Sequence, residues 1–203
     1  MKMTLLIIGV LILGIITGIV LPQIDFDLIA NGPKYLLYPI LILAGMEIGF
    51  FNKKADLKFF LSLMRDTLLV MLGTIAGSYF GGMLASLVFN MQLNQGLAIA
   101  SGFTWYSLSG VILSEIAGAK IGAVAFVANV LRESLVFLFV PYLCQKNFTH
   151  GSISIAGASS MDVSLTVISR YADPRIAGIS FLHGTILTFL VPVLVPLMYS
   201  IQG

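Results

Sequence analysis

"GASSMDVS", Gly157 to Ser164, sets a carboxylate behind a group of small residues, inside a run otherwise apolar enough to lie in a membrane. A charged side chain at the bilayer centre costs at least about 2.5 to 3.5 kcal/mol on insertion scales, so Asp162 is expected to face a cavity or a partner and to have a function. A plainer reading is local: Ser-Ser-Met-Asp ahead of "VSLTVIS" is good capping chemistry for a helix N-terminus. The two readings coexist. Gly, Ser and Thr favour non-helical backbone and supply local hydrogen bonds, so the helix is expected to break here. Broken backbone at membrane depth is tolerated only where protein buries it or water lines it, which implies a cavity at the break.

Working outward, the composition is that of a membrane protein. Of 203 residues, 58% are hydrophobic and 10% charged, and mean hydropathy is +1.01; an average soluble domain is about 25% charged. The expectation is an all-α integral membrane protein, one polytopic domain over residues 1–203, with no room for a soluble domain. Apolar runs mark about seven spans, at 3–21, 35–51, 67–90, 95–118, 121–145, 152–172 and 176–200, the first read as an uncleaved helix. Alternating these spans puts Lys2, Lys53, Lys54, Lys58, Arg65, Lys120, Arg170 and Arg175 on one side and Lys34 and Lys146 on the other. That bias predicts a cell-membrane protein with its N-terminus inside and its C-terminus outside. Net charge is +2 with no basic stripe, so no nucleic-acid partner is expected. Cys144 is the single cysteine, which excludes an internal disulfide or a cysteine metal cage. No metal spacing, nucleophile elbow or phosphate loop occurs, so neither a cofactor nor an enzyme is expected.

A second break lies in "LAIASGFTWYSLSGVILSE", residues 97–115. Aligning residues 102–141 with 157–196 without a gap pairs Gly102 with Gly157, Phe126 with Phe181, Pro141 with Pro196 and Lys120 with Arg175. The reading is a duplicated unit of broken helix, tight basic turn and long helix, in which Ser107 is the counterpart of Asp162. If the broken segments cross the membrane the repeats are parallel; if they are re-entrant the repeats are inverted. Gly73, Gly77 and Gly81 share a helical face, as do Gly14 and Gly18, which reads as close helix packing.

The remaining candidates are polar residues in apolar runs. Arg132 and Glu133, in "NVLRES", point about 100° apart on a helix and must find partners on other helices. A structural ion pair is one reading; the functional one has Arg132 hold an anionic group or a buried carboxylate while Glu133 faces a pathway. Glu115 lies close to Lys120, where an ion pair is the simpler role and a ligand site the other. Glu47 reads as interfacial. His183, in "FLHGTIL", either relays protons or hydrogen-bonds between helices. Trp105 and Tyr106 suit an interfacial belt or a substrate-facing break, and Ser107 and Ser109 are placed to line a path or donate to a carboxylate.

The motifs "GFTWYSLSGVILSE", "AFVANVLRES", "GASSMD" and "HGTILTFLVPVLVP", in this order, resemble the lysine exporter LysO family from about residue 34 to the end. The resemblance implies a secondary transporter exporting L-lysine from the cytoplasm, driven by protons, with Asp162 matching a carboxylate that the family uses. It also places a second functional acid in an N-terminal membrane segment of longer members that this chain is expected to lack. A small helical membrane subunit or a homodimer is then expected to complete the site. Rival readings are a non-transporting subunit of a larger complex and an intramembrane enzyme.

Overall fold

The computed structural model describes residues 57–201 together with Thr17 and Met46. The expected spans 3–21 and 35–51, with their Gly14, Gly18 and Glu47, otherwise lie outside the described residues, as do Lys2, Lys34, Lys53 and Lys54. Residues 57–201 belong to one compact unit, Phe50–Gly203. In chain order the described helices are α1 (Leu57–Val88), α2 (Leu93–Ala100), α3 (Tyr106–Ala117), α4 (Ala119–Gln145), α5 (Thr149–Ala156), a 3-10 segment (Gly157–Met161), α6 (Leu165–Ile168) and α7 (Pro174–Ser200). Among the described residues there is no strand.

Three of these helices, α1, α4 and α7, are long and apolar enough to cross a membrane. At about 1.5 Å per residue, the 27 residues of α4 or α7 outreach a hydrocarbon core of roughly 30 Å. Their outward faces are oily: Leu72 and Phe80 on α1, Leu138 on α4 and Phe189 on α7 are exposed. The start of α7 is set by Asp173, whose Oδ1 accepts the Ile176 N–H at 2.9 Å, and by Pro174 at the first helical position.

Cross-helix contacts fix the directions. Arg175, at the start of α7, donates to Ser62 (3.3 Å) and Asp66 (2.7 Å) near the start of α1. Asn94, just beyond the end of α1, donates to the Tyr199 carbonyl at the end of α7 (2.9 Å). Helices α1 and α7 are therefore parallel. Helix α4 runs against them: its last-turn Cys144 shares a core cluster with Leu63 and Ile179 from the second turns of α1 and α7. The α2–α3 segment thus enters and leaves by the face where α1 and α7 end, and α5–α6 enters and leaves by the face where they begin.

Both broken segments are re-entrant hairpins, inserted from opposite faces. Of the two alternatives the sequence left open for 95–118 and 152–172, crossing or re-entry, the helix directions favour re-entry: residues 57–201 hold three helices long and apolar enough to cross where five apolar runs were marked. It also reverses two loops. Lys120 lies at the opposite end of the bundle from Arg175, and Lys146 lies at the same end. The physical reason is at the tips, where each hairpin satisfies the other's free backbone. Ala158 N–H donates to the Phe103 carbonyl (2.7 Å), Ser159 N–H to Thr104 Oγ1 (3.1 Å), and Thr104 Oγ1 to the Ala156 carbonyl (2.9 Å). Gly157 sits at φ 63°, and a Cβ there would run into the Phe103 carbonyl, so only glycine lets the tips meet.

The order short helix, break, long helix occurs twice. Helices α2 and α5 have 8 residues each, and α4 and α7 have 27 each. Helix α7 begins and ends 55 positions after α4, 119 to 174 and 145 to 200.

Candidate functional site

Beside the joined tips lies a cavity of about 180 Å³. Hairpin α2–α3 contributes Thr104, Trp105, Tyr106 and Ser107; the other hairpin contributes Ser159, Met161 and Asp162; α4 adds Glu133 and α7 adds Thr188. Five of the residues singled out in the sequence, Asp162, Glu133, Ser107, Trp105 and Tyr106, are thus brought together. Both carboxylates, Asp162 and Glu133, line this one cavity. Asp162 Oδ1 accepts the Val163 N–H at 2.5 Å, and the residue lines the cavity. Asp162 does not cap the helix that follows it: Ser164 holds the N-cap position of α6. The 3-10 segment ends at Met161, and Asp162 is the residue at which the chain turns back. Met161 is anchored by Thr185 and Thr188, whose hydroxyls point at its sulfur (3.7 and 3.6 Å).

The other candidates sit elsewhere. Ser109 is fully buried, donates to the Trp105 carbonyl (2.8 Å) and meets the Asn129 amide (3.4 Å), so it braces α3 against α4. Glu115 is exposed near the end of α3 and, among the described residues, forms no ion pair with Lys120. His183 is fully buried behind the cavity, with Nε2 2.9 Å from Thr74 Oγ1 and Nδ1 2.9 Å from Ser160 Oγ, and so ties the 3-10 segment to α1. Arg132 lies on another face of α4 and donates to Ser78 (3.0 Å); among the described residues it has no carboxylate partner. It lines a second, larger cavity of about 620 Å³ together with Gly73, Gly77 and Gly81. A Cβ at any of these glycines would meet no described atom within 4 Å, so the glycine face packs no described helix.

Sequence reasoning missed Asn129 and Thr104. Asn129 is buried; its Oδ1 accepts the Thr104 N–H (2.9 Å) and its Nδ2 donates to the carbonyls of Ile99 (3.1 Å) and Ala125 (3.0 Å). One amide therefore holds the tip of the first hairpin to α4. The signal was a lone amide in the apolar run "AFVANVL". At α7 the corresponding position is Gly184, where a Cβ would collide with Met161 and Ala158 backbone; its absence lets the 3-10 segment lie directly on the helix.

These features define a polytopic α-helical membrane protein in which two opposed hairpins, with two of the long helices, line an open carboxylate-bearing cavity. A family model described as lysine exporter LysO matches residues 8–199. The chain belongs to that family, which is one of transporters and not of enzymes. It is 33% identical over 162 residues to the lysine exporter LysO of Escherichia coli (strain K12), an alignment covering 80% of this chain and 53% of that protein. It is 30% identical over 187 residues to a Haemophilus influenzae protein named "Putative lysine exporter", covering 91% of this chain and 94% of that one. The chain thus spans about half the length of the E. coli relative. No solved structure matches it.

Proposed function

We propose that this chain exports L-lysine, or a related basic amino acid, across the cell membrane as a proton-coupled secondary transporter. The observation that carries the reading is the shared cavity of Asp162 and Glu133 beside the hairpin tips. Lysine presents two cationic groups and one carboxylate. Carboxylates suit the ammonium groups, while Ser107, Thr188 and tip backbone offer partners for the substrate carboxylate. Moving a cation outward against about 100 mV opposes roughly 2.3 kcal/mol per charge, so export needs an inward counter-ion and a group that exchanges it. Asp162 and Glu133 divide these tasks or one alternates between them.

The repeated unit supports the same reading. Opposed hairpins with matching helix lengths are what an inverted repeat looks like, and such repeats give transporters two equivalent, oppositely facing arrangements. We read residues 102–141 and 157–196 as such a repeat. Basic residues favour the face where α1 and α7 begin as cytoplasmic: Lys58, Arg65, Lys146, Arg170 and Arg175 lie there, against Lys120 on the other. The C-terminus is then outside. The large cavity beside Arg132, open along the glycine face of α1, suits a further helix carrying a carboxylate. A small membrane subunit or a second copy of the chain would meet that need.

Counterflow of labelled lysine in vesicles, with arginine, ornithine and thialysine as competitors, tests the function. Saturable uptake of intact lysine supports it. Its absence, both for the chain alone and for the protein extracted from native membranes with its partners, contradicts it.

A further inference from the structure

The hairpin tips are joined by three hydrogen bonds among the described residues, and Thr104 Oγ1 makes two of them. Its hydroxyl accepts from Ser159 N–H and donates to the Ala156 carbonyl; the Phe103 carbonyl, also in contact, competes for the same proton. The third bond runs from Ala158 to Phe103. In the 55-residue correspondence Ala158 is the counterpart of Phe103 and Ser159 of Thr104, so equivalent positions meet at the junction. Backbone geometry there is unusual: Phe103 has φ 43° and Thr104 φ 79°, left-handed conformations that a β-branched residue adopts only when its surroundings hold it. What holds it is Asn129, through the Thr104 N–H. Thr104 is 2% exposed yet lines the same cavity as Asp162.

We propose that Thr104 is the latch of the transport cycle, a positioning residue whose hydroxyl holds the two hairpin tips together and whose release parts them beside the cavity. The proposal rests on reading the cavity as the transport site. A junction of three hydrogen bonds is small enough to break and re-form in each cycle, and held left-handed backbone on one side favours release over deformation of the helices. Thr104 Oγ1 bonds the tip backbone and, among the described residues, neither cavity carboxylate, so it acts on closure and not on substrate affinity.

Valine has the same shape and keeps the backbone strain but lacks the hydroxyl; serine keeps the hydroxyl. The reporter is Ala158→Cys, 5% exposed at the junction, in a Cys144→Ser background, labelled by a membrane-impermeant thiol reagent in vesicles. With Thr104→Val, labelling should speed up about thirtyfold, the change that the two lost hydrogen bonds make in an opening equilibrium, while Thr104→Ser should label at the parent rate. In lysine counterflow without the reporter, Thr104→Val should lower the maximal rate with little change in the half-saturating concentration, and Thr104→Ser should restore it. Labelling of Ala158→Cys at the parent rate in Thr104→Val overturns the latch. Absence of counterflow in the parent overturns the transport reading instead, and the labelling result still decides whether Thr104 joins the tips.

Discussion

Asp162 lines the cavity and its carboxylate accepts the Val163 N–H. Asp162→Asn preserves shape and removes the charge. The variant should insert and fold normally yet lose lysine export by about ten- to a hundredfold, the range of one hydrogen bond to a charged group. Export at the parent rate and unchanged pH dependence would count against the role. Asn129 is the opposite case, a structural residue with no access to the cavity. Asn129→Leu strands the Thr104 N–H, while the Ile99 carbonyl keeps the Gly102 N–H, so it should lower stability by about 1 to 3 kcal/mol, read as a lower midpoint of thermal aggregation in detergent. Asp162 and Glu133 were legible in the sequence because a carboxylate in an apolar run is expensive. Thr104 and Asn129 were not, because an uncharged polar residue in a membrane helix is common and its value lies in one distant partner.

The two hairpins show what a pattern of residues does and does not encode. Gly, Ser and Thr marked both breaks, and the long helices α4 and α7 begin and end 55 positions apart. The direction after the break was not legible: the same apolar run serves a segment that crosses and one that turns back, since both present oily faces to lipid and neighbours. It is decided by contacts between distant elements: those that set α4 against α1 and α7, and the tip-to-tip bonds between residues 52 to 55 apart in sequence. Ser107 and Asp162 line one cavity from opposite hairpins, 55 positions apart, which the proposed repeat makes counterparts. A carboxylate moved between them should remain usable. Asp162→Ser alone should abolish counterflow, and Ser107→Asp combined with Asp162→Ser should recover a measurable fraction of it. A double variant as inactive as the single one would show that the two positions are not interchangeable.

For the molecule as a whole, re-entrant hairpins change which loops share a side. The alternating reading put Lys120 with Arg175 and Lys146 opposite; the fold puts Lys146 with Arg175 and Lys120 opposite. In a Cys144→Ser background, Lys146→Cys should label from the cytoplasmic side and Lys120→Cys from outside. The reverse at both positions would restore two crossing segments. Composition alone made the chain a membrane protein, but side assignment depends on counting crossings, and a hairpin that returns shifts every loop after it until a second hairpin shifts them back.

The central claim is that lysine occupies the cavity between the hairpins, and Val163 gives direct access to it. Val163 lines the cavity, is exposed and makes no side-chain hydrogen bond. With Val163→Cys in a Cys144→Ser background, the measurement is the rate of thiol labelling in vesicles as lysine is titrated. Lysine at ten times its dissociation constant should slow labelling about tenfold, the fraction of sites left open, while leucine at the same concentration should leave the rate unchanged. A rate unaffected by lysine, or slowed equally by leucine, would contradict the account.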